Sequence, residues 1–443
     1  MSIPLCSITK EQDDLSMRLG SGPWLAALTG VAALVVTGCA GQAPQPVADV
    51  SAGYSALEWA DGSEFRISRI DLQDATEAVP GKDFKEVSTT ERWSLGSESF
   101  ASFGLDSRGQ LVGAMVENQG IDASTNSLTS GSRVGLVVGG EFQAWSAAMG
   151  VEPSDELRQL QGGDSDGANF VWSETPDTSL VATSWKIFAK AADASAPVLL
   201  AKSGDTVEDP SFGAGMGGIS PVIHDDRVYW HTTVGPEIGG LLDTQIVSTD
   251  LSGQGKTRIE DSGAAYPVSL DDAVAAVKLE KPDGEGEEGE PNFLTPDDAQ
   301  GIVLLNNDGT KTDLLKITEN APEGRTFGTL NGSGNALSFS FNGETFVVDT
   351  KNKKVVAFTE PRGSYLSGLA HCDDMVTWTY TDANGEGVAS QYVYNTRKQT
   401  LRAVGEPELF GNSLCQGKYL AWSVRDSSND SALATDVVTK WKE

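Results

Sequence analysis

Four tryptophans close four copies of one short phrase, and that recurrence constrains the fold more than any other feature of this 443-residue chain. Each copy is an acidic or glycine turn followed by a β-rich run. The copies are Asp166-Gly167-Ala168-Asn169-Phe170-Val171-Trp172, Asp225-Asp226-Arg227-Val228-Tyr229-Trp230, Asp373-Asp374-Met375-Val376-Thr377-Trp378 and Gln416-Gly417-Lys418-Tyr419-Leu420-Ala421-Trp422. Their tryptophans stand 58, 148 and 44 positions apart. The middle interval is three steps of about 49, inside the range of tandem structural repeats, so two divergent copies belong within it. Residues 271–279 (DDAVAAVKL) and 334–341 (GNALSFSF) stand at those places.

A second phrase follows most copies: a β-branched or aromatic run, a polar turn, and another run. It reads Gln245-Ile246-Val247-Ser248-Thr249-Asp250 before Gly253, Ile302-Val303-Leu304-Leu305 before Asn307-Asp308-Gly309, Phe346-Val347-Val348-Asp349 before Lys351, and Tyr392-Val393-Tyr394-Asn395 before Arg397. Short runs bounded by Gly, Asn and Asp are hairpins. Helical periodicity is nearly absent; its best stretch, 154–161 (SDELRQLQ), reads as a single loop turn. Evenly spaced strands with one aromatic mark per repeat predict an all-β fold, a β-propeller. Seven blades are expected, starting near residues 98, 165, 218, 270, 333, 373 and 416. Six or eight stay open, because the first and fourth repeats are degenerate. Residues 54–72 carry the hairpin phrase without its tryptophan partner, and residues 418–441 resemble a blade lacking its outer strand. The two ends complement each other as ring closure requires, so the N-terminus is expected to complete the last blade. The body, residues 54–443, resembles the TolB-like and YWTD-like propellers through this loose phrase.

Cys372 and Cys415 fall six and seven residues ahead of their tryptophans, in matching positions of neighbouring repeats. First strands of adjacent blades run close together at one channel mouth, where a disulfide between these two is the simplest pairing for an exported chain. A reduced, buried pair is the alternative.

Export itself is read from the N-terminus. An apolar run beginning near Trp24 ends in Val36-Thr37-Gly38-Cys39, with Arg18 before it. These residues resemble the lipobox of bacterial lipoproteins. The resemblance implies a signal peptide over 1–38, whose true start is Met17 because Glu11, Asp13 and Asp14 place acid where base belongs. It further implies acylation and cleavage at Cys39, a tether over 39–53, and a body held at the cell membrane on its extracytoplasmic face. The apolar run is shorter than the roughly 20 residues a membrane span needs, and more than one acyl chain anchors stably.

A formal charge of −31, from 63 acidic and 32 basic residues, argues against nucleic acid and against anionic lipid surfaces. Such acidity suits solubility; its sharper reading is cation binding or a basic partner, for which the run 283–290 (DGEGEEGE) would be the lure. Gly163-Asp164-Ser165-Asp166-Gly167 matches the hydrolase G-x-S-x-G phrase, but it precedes a β run where that elbow needs a helix. His224, His371, Cys372 and Cys415 would have to gather at one channel mouth to bind a soft metal, without any short chelating spacing. Oxygen-rich turns at 164–167, 382–386 and 426–430 leave one weak calcium site open and no other cofactor is expected. Trp172, Trp230, Trp378 and Trp422 suit packing between blades; lining a channel mouth is their alternative role. Nothing nominates a catalytic set. The expectation is a binding or scaffolding module for a protein or cell-envelope component, more a binder than an enzyme. The alternative is an envelope hydrolase acting on glycan or peptide in the propeller funnel.

Overall fold

The computed structural model describes residues 49–50, 55–91, 98–117, 121–122, 127–128, 132–145, 159–175, 185–203, 220–234, 241–279, 292–293, 298–322, 327–361, 364–382, 390–405, 413–425 and 434–442. Cys39, the signal segment, most of the tether, the acidic run 283–290 and the turns 383–386 and 426–430 lie outside these residues.

Seven sheets, each with four antiparallel blade strands, follow one another along the chain, beside a two-stranded pair of Ile121–Asp122 with Ser127–Leu128. The second is representative: Gln159–Ser165, Asn169–Thr175, Lys186–Ala191 and Val198–Lys202 pair in sequence order. The first strands of successive sheets touch one another from Glu98–Leu105 round to Leu414–Gln416, and the last touches the first. That circle of contacts makes the molecule a seven-bladed β-propeller with the first strands around the central channel. Short edges protected by radial repetition are what this architecture offers an all-β chain.

Burial explains the sequence pattern. Second strands are buried on both faces because neighbouring blades stack against them, so Ala273–Leu279 reads as an almost unbroken apolar run, AVAAVKL. Fourth strands face solvent on one side, and Arg258–Ser262 is accordingly polar. The phrase tryptophans sit on second strands and reach the preceding blade. Trp230 meets Trp185 edge-on at 5.9 Å, and Trp378 meets Phe358 at 4.8 Å. Trp172, Trp230 and Trp378 are fully buried and Trp422 is nearly so, which assigns all four to packing and none to a channel mouth.

The expected blade starts at 165, 270, 333 and 373 fall at the ends of first strands, not their beginnings. The phrase marks the second strand, whereas first strands such as Phe327–Ser333 (FGTLNGS) and Ser364–Cys372 (SYLSGLAHC) alternate weakly. Five of these first strands break register, at 102/104, 160/162, 265/268, 328/331 and 367/370. A bulge inserts a residue and hides period-two alternation. The helix-like stretch also resolves differently: Gln159 and Leu160 begin a strand, and residues 154–158 lie outside the described part.

The N-terminus closes the ring, but through other residues than 54–72. Leu57–Trp59 adds to the outer edge of blade four, Ile67–Ile70 runs parallel to the outer strand of blade five, and Thr76–Glu77 does the same on blade six. Phe84–Glu91 then pairs antiparallel with Ala434–Trp441 as the outer strand of blade seven. The segment with the hairpin phrase therefore covers edges, which blunts their tendency to template other strands. Trp59, Phe65 and Ile67 anchor it in the core shared by blades four and five, with Phe65 6.1 Å from the Phe346 ring.

Cys372 ends the first strand of blade six and Cys415 lies in the first strand of blade seven; the structure joins them as a disulfide with Cα atoms 5.9 Å apart. The bond closes a loop of 43 residues. Replacing both cysteines by serine should lower unfolding free energy by about 3 to 4 kcal/mol, measured by urea denaturation. An unchanged midpoint would mean that the bridge adds nothing to the closure of the last blade.

Candidate functional site

The turn between first and second strands of each blade, and the turn between third and fourth strands of blades one to six, lie on one face of the ring. The first kind is tight: Asp373 and Gly417 hold left-handed backbone, with φ of 48° and 55°, in two such turns. On blades five, six and seven these turns enclose a groove of about 1080 Å³ that reaches inward to Ser107 and Asp271 on other blades. Six cationic side chains line it, Lys351, Lys354, Arg397, Lys398, Lys418 and Lys442, against four aspartates, Asp271, Asp349, Asp373 and Asp374. In a chain of charge −31 this is a local reversal of sign.

Two of the cations are committed. Arg397 pairs with Asp374 at 2.6 Å, and Lys442 donates to the Gly81 carbonyl. Lys351, Lys354, Lys398 and Lys418 are exposed and have no ion-pair partner among the described residues. Tyr394 and Trp441 supply apolar surface beneath them. Burial pushes the Tyr394 phenol up to about 12, so it is a neutral donor or acceptor there.

A second, smaller concavity of about 450 Å³ opens on the channel between blades two and five. Bulged first strands turn side chains toward it. Asp164 comes from blade two, His231 from blade three, Tyr266 from blade four and Asn331 from blade five. Asp164 accepts the backbone N–H of Ile223 at 2.8 Å, and burial raises its pKa above the usual carboxylate range. His231 Nδ1 and Asn331 Nδ2 have no hydrogen-bond partner among the described residues. The His231 ring stands 4.8 Å from the Tyr266 ring, and Tyr266 has a φ of 55°. For a bulky aromatic residue that conformation costs roughly 1–3 kcal/mol, and such strain concentrates at functional positions.

The sequence singled out Asp164 within the rejected hydrolase phrase and within the oxygen-rich turn 164–167 kept open for calcium. Ser165 is indeed no nucleophile elbow: its hydroxyl donates to the Leu105 carbonyl at 2.7 Å and accepts the Gly167 N–H, tying blade two to blade one. Tyr266 and Asn331 carried no signal in the sequence, because a bulge has no fixed residue type. The histidines and cysteines expected as a soft-metal alternative do not assemble. His224 bonds Ser269 and Asn307 at 3.0 and 2.7 Å on blade four, while Cys372 is bonded to Cys415. Among the described residues no three His, Cys, Asp or Glu side chains gather as a metal site.

No protein-family model and no curated protein matches the chain. Solved structures are similar to it at low identity. A prolyl endopeptidase structure shares 12% identity at a TM-score of 0.47, covering 77% of this chain and 47% of its own. An oligogalacturonate lyase from Vibrio parahaemolyticus shares 12% at 0.44, covering 89% and 99%. The β-propeller domain of the Trilobed protease from Pyrococcus furiosus, described as having an open velcro topology, shares 8% at 0.43, covering 69% and 84%. The chain thus spans about half the length of the first of these. Its fold is assigned from its own strand pairing.

Burial holds His231 and His371 neutral, lowering each from 6.5 to about 4. Between those values the unfolded chain binds more protons than the folded one. The histidines' contribution to stability is therefore full above pH 6.5, falls as pH drops toward 4, and is level below it. Asp164, raised by burial, acts in the opposite sense above the ordinary carboxylate range. For His371 the change across the window is on the order of 3 kcal/mol. Melting temperatures of the parent chain should drop from pH 6.5 to pH 4.5, and His371→Leu should make that drop shallower. Parallel curves for the two proteins would contradict the assignment.

Proposed function

We propose that the chain is a lipid-anchored, extracytoplasmic propeller of the TolB-like or YWTD-like kind. In this reading it is a binding or scaffolding module that seats an acidic segment of a protein or cell-envelope component over blades five to seven. One observation carries the reading: four unpaired lysines converge on a broad, turn-built groove in a chain that is otherwise strongly acidic. Lysines held apart from carboxylates on rigid turns steer and orient an acidic partner, and the four aspartates among them disfavour a uniform polyanion. The groove is wide and open, as a surface for a macromolecule requires. Anchoring through Cys39 at the cell membrane rests on the lipobox residues and supplies the address.

A second reading, an envelope hydrolase acting on glycan or peptide within the channel, is favoured by the pocket of Asp164, His231 and Tyr266. A carboxyl of raised pKa and a neutral imidazole lining one pocket are groups that acid–base chemistry uses.

In-cell crosslinking with mass spectrometry separates these readings. The parent protein should capture one recurrent envelope component, and the triple variant Lys354→Glu, Lys398→Glu, Lys418→Glu should lose roughly 90% or more of that capture. Equal capture by both proteins, or capture of cell-wall glycan alone, would remove the groove from the account and bring the channel chemistry forward.

A further inference from the structure

The channel pocket has a feature that the groove lacks, a single sign of charge. Among the described residues Asp164 is the only acidic one lining it, neither lysine nor arginine lines it, and His231 is neutral at physiological pH. The carboxylate has backbone donors, chiefly the Ile223 N–H at 2.8 Å, and no counter-charge among the pocket residues. An ionised carboxylate in so enclosed a site lacks the pairing that buried charges ordinarily require. The remaining described lining is mainly apolar, from Pro221, Val222, Val268, Val277, Phe327 and Leu330, with hydroxyls from Ser220 and Thr329. Tyr266 adds an aromatic ring, and the unpaired Asn331 amide adds one donor.

We propose that this pocket binds a small organic cation, a primary or secondary ammonium on a compact apolar or aromatic body, with the ammonium on Asp164 and the body against Tyr266. Charge selects the class. An anion would meet Asp164 with no cation among the described lining residues to offset it, whereas an ammonium supplies the positive charge that favours the ionised form of a carboxyl whose pKa burial raises. An ammonium gains both the carboxylate and the face of an aromatic ring. A volume of about 450 Å³ admits a ligand the size of an amino-acid derivative. The Asn331 amide matches one neutral acceptor oxygen near the ammonium. The strained Tyr266 backbone fits the same role, since it holds the ring at the pocket wall where a relaxed strand would direct it elsewhere. The inference is independent of the groove: either site can fail its test while the other stands.

Three probes share one body and differ in charge: benzylamine, benzyl alcohol and benzoate. Titration calorimetry of the whole chain at pH 7 should detect benzylamine binding only, and Asp164→Asn should weaken it by roughly tenfold or more. Tyr266→Gly, which suits the left-handed backbone, should keep the fold while weakening benzylamine severalfold, so loss of binding is separable from loss of structure. In the parent protein benzylamine affinity should fall as pH is lowered through the range where Asp164 protonates. Binding of the alcohol or of benzoate as tightly as the amine would overturn the proposal. So would benzylamine affinity indifferent to Asp164→Asn and to pH, or no saturable binding of any probe.

Discussion

Everything in this molecule depends on one antiparallel pairing, that of Phe84–Glu91 with Ala434–Trp441. It joins residues from opposite ends of the chain and converts six complete blades and one incomplete blade into a closed ring. Aromatic contacts reinforce it: Phe84 stacks on Trp441 at 5.2 Å and meets Trp422 edge-on at 6.2 Å. Closure brings blade seven against blade one so tightly that Gly109 is required at its turn. With φ of 80°, a Cβ there would lie 2.4 Å from the Tyr419 ring. The disulfide between Cys372 and Cys415 ties the same last blade to its neighbour on the channel side. The closing blade is thus held at its outer edge by a strand and at its inner edge by a covalent bond.

The two concavities are consequences of closure, and they differ for a structural reason. The groove is built from hairpin turns, where long polar side chains stand in solvent and keep their charge. The channel pocket is built mainly from first strands, bulged on blades two, four and five, with His231 and Val277 from second strands, and there side chains converge in a confined space where charge is costly. One site therefore presents several solvated cations on an open surface. The other presents one carboxyl in a confined space. A protein whose overall charge is −31 holds its cationic groove on three adjacent blades, so whole-chain charge is a poor guide to that face.

The fold was legible in the sequence because its strongest signal, tryptophan at the end of a β run, marks second strands that are buried on both faces. Trp172, Trp230, Trp378 and Trp422 locate four blades, and the apolar runs of 271–279 and 334–341 locate two more. The first strands were not legible. Their bulges break alternation, which displaced the expected blade starts into the following turn. Closure by the N-terminus was readable in outline, but Phe84–Glu91 (FKEVSTTE) is too polar to announce itself as the missing strand. The cysteine pair was recoverable from matching repeat positions. The groove was not, since its lysines come from turns of three different blades and share no spacing in the chain. Asp164 stood in plain view inside a hydrolase-like phrase, yet Tyr266 and Asn331 come to line the same pocket only through the ring.

The most direct test of this account is native-state hydrogen exchange on the last blade. If the terminal pairing closes the ring, amides of residues 435–441 and 84–90 should exchange only through global unfolding, with the same free energy as the buried strand Ala273–Leu279. Exchange of the terminal pair at a much lower free energy than that central strand would contradict it, and would describe an open ring whose ends merely lie side by side.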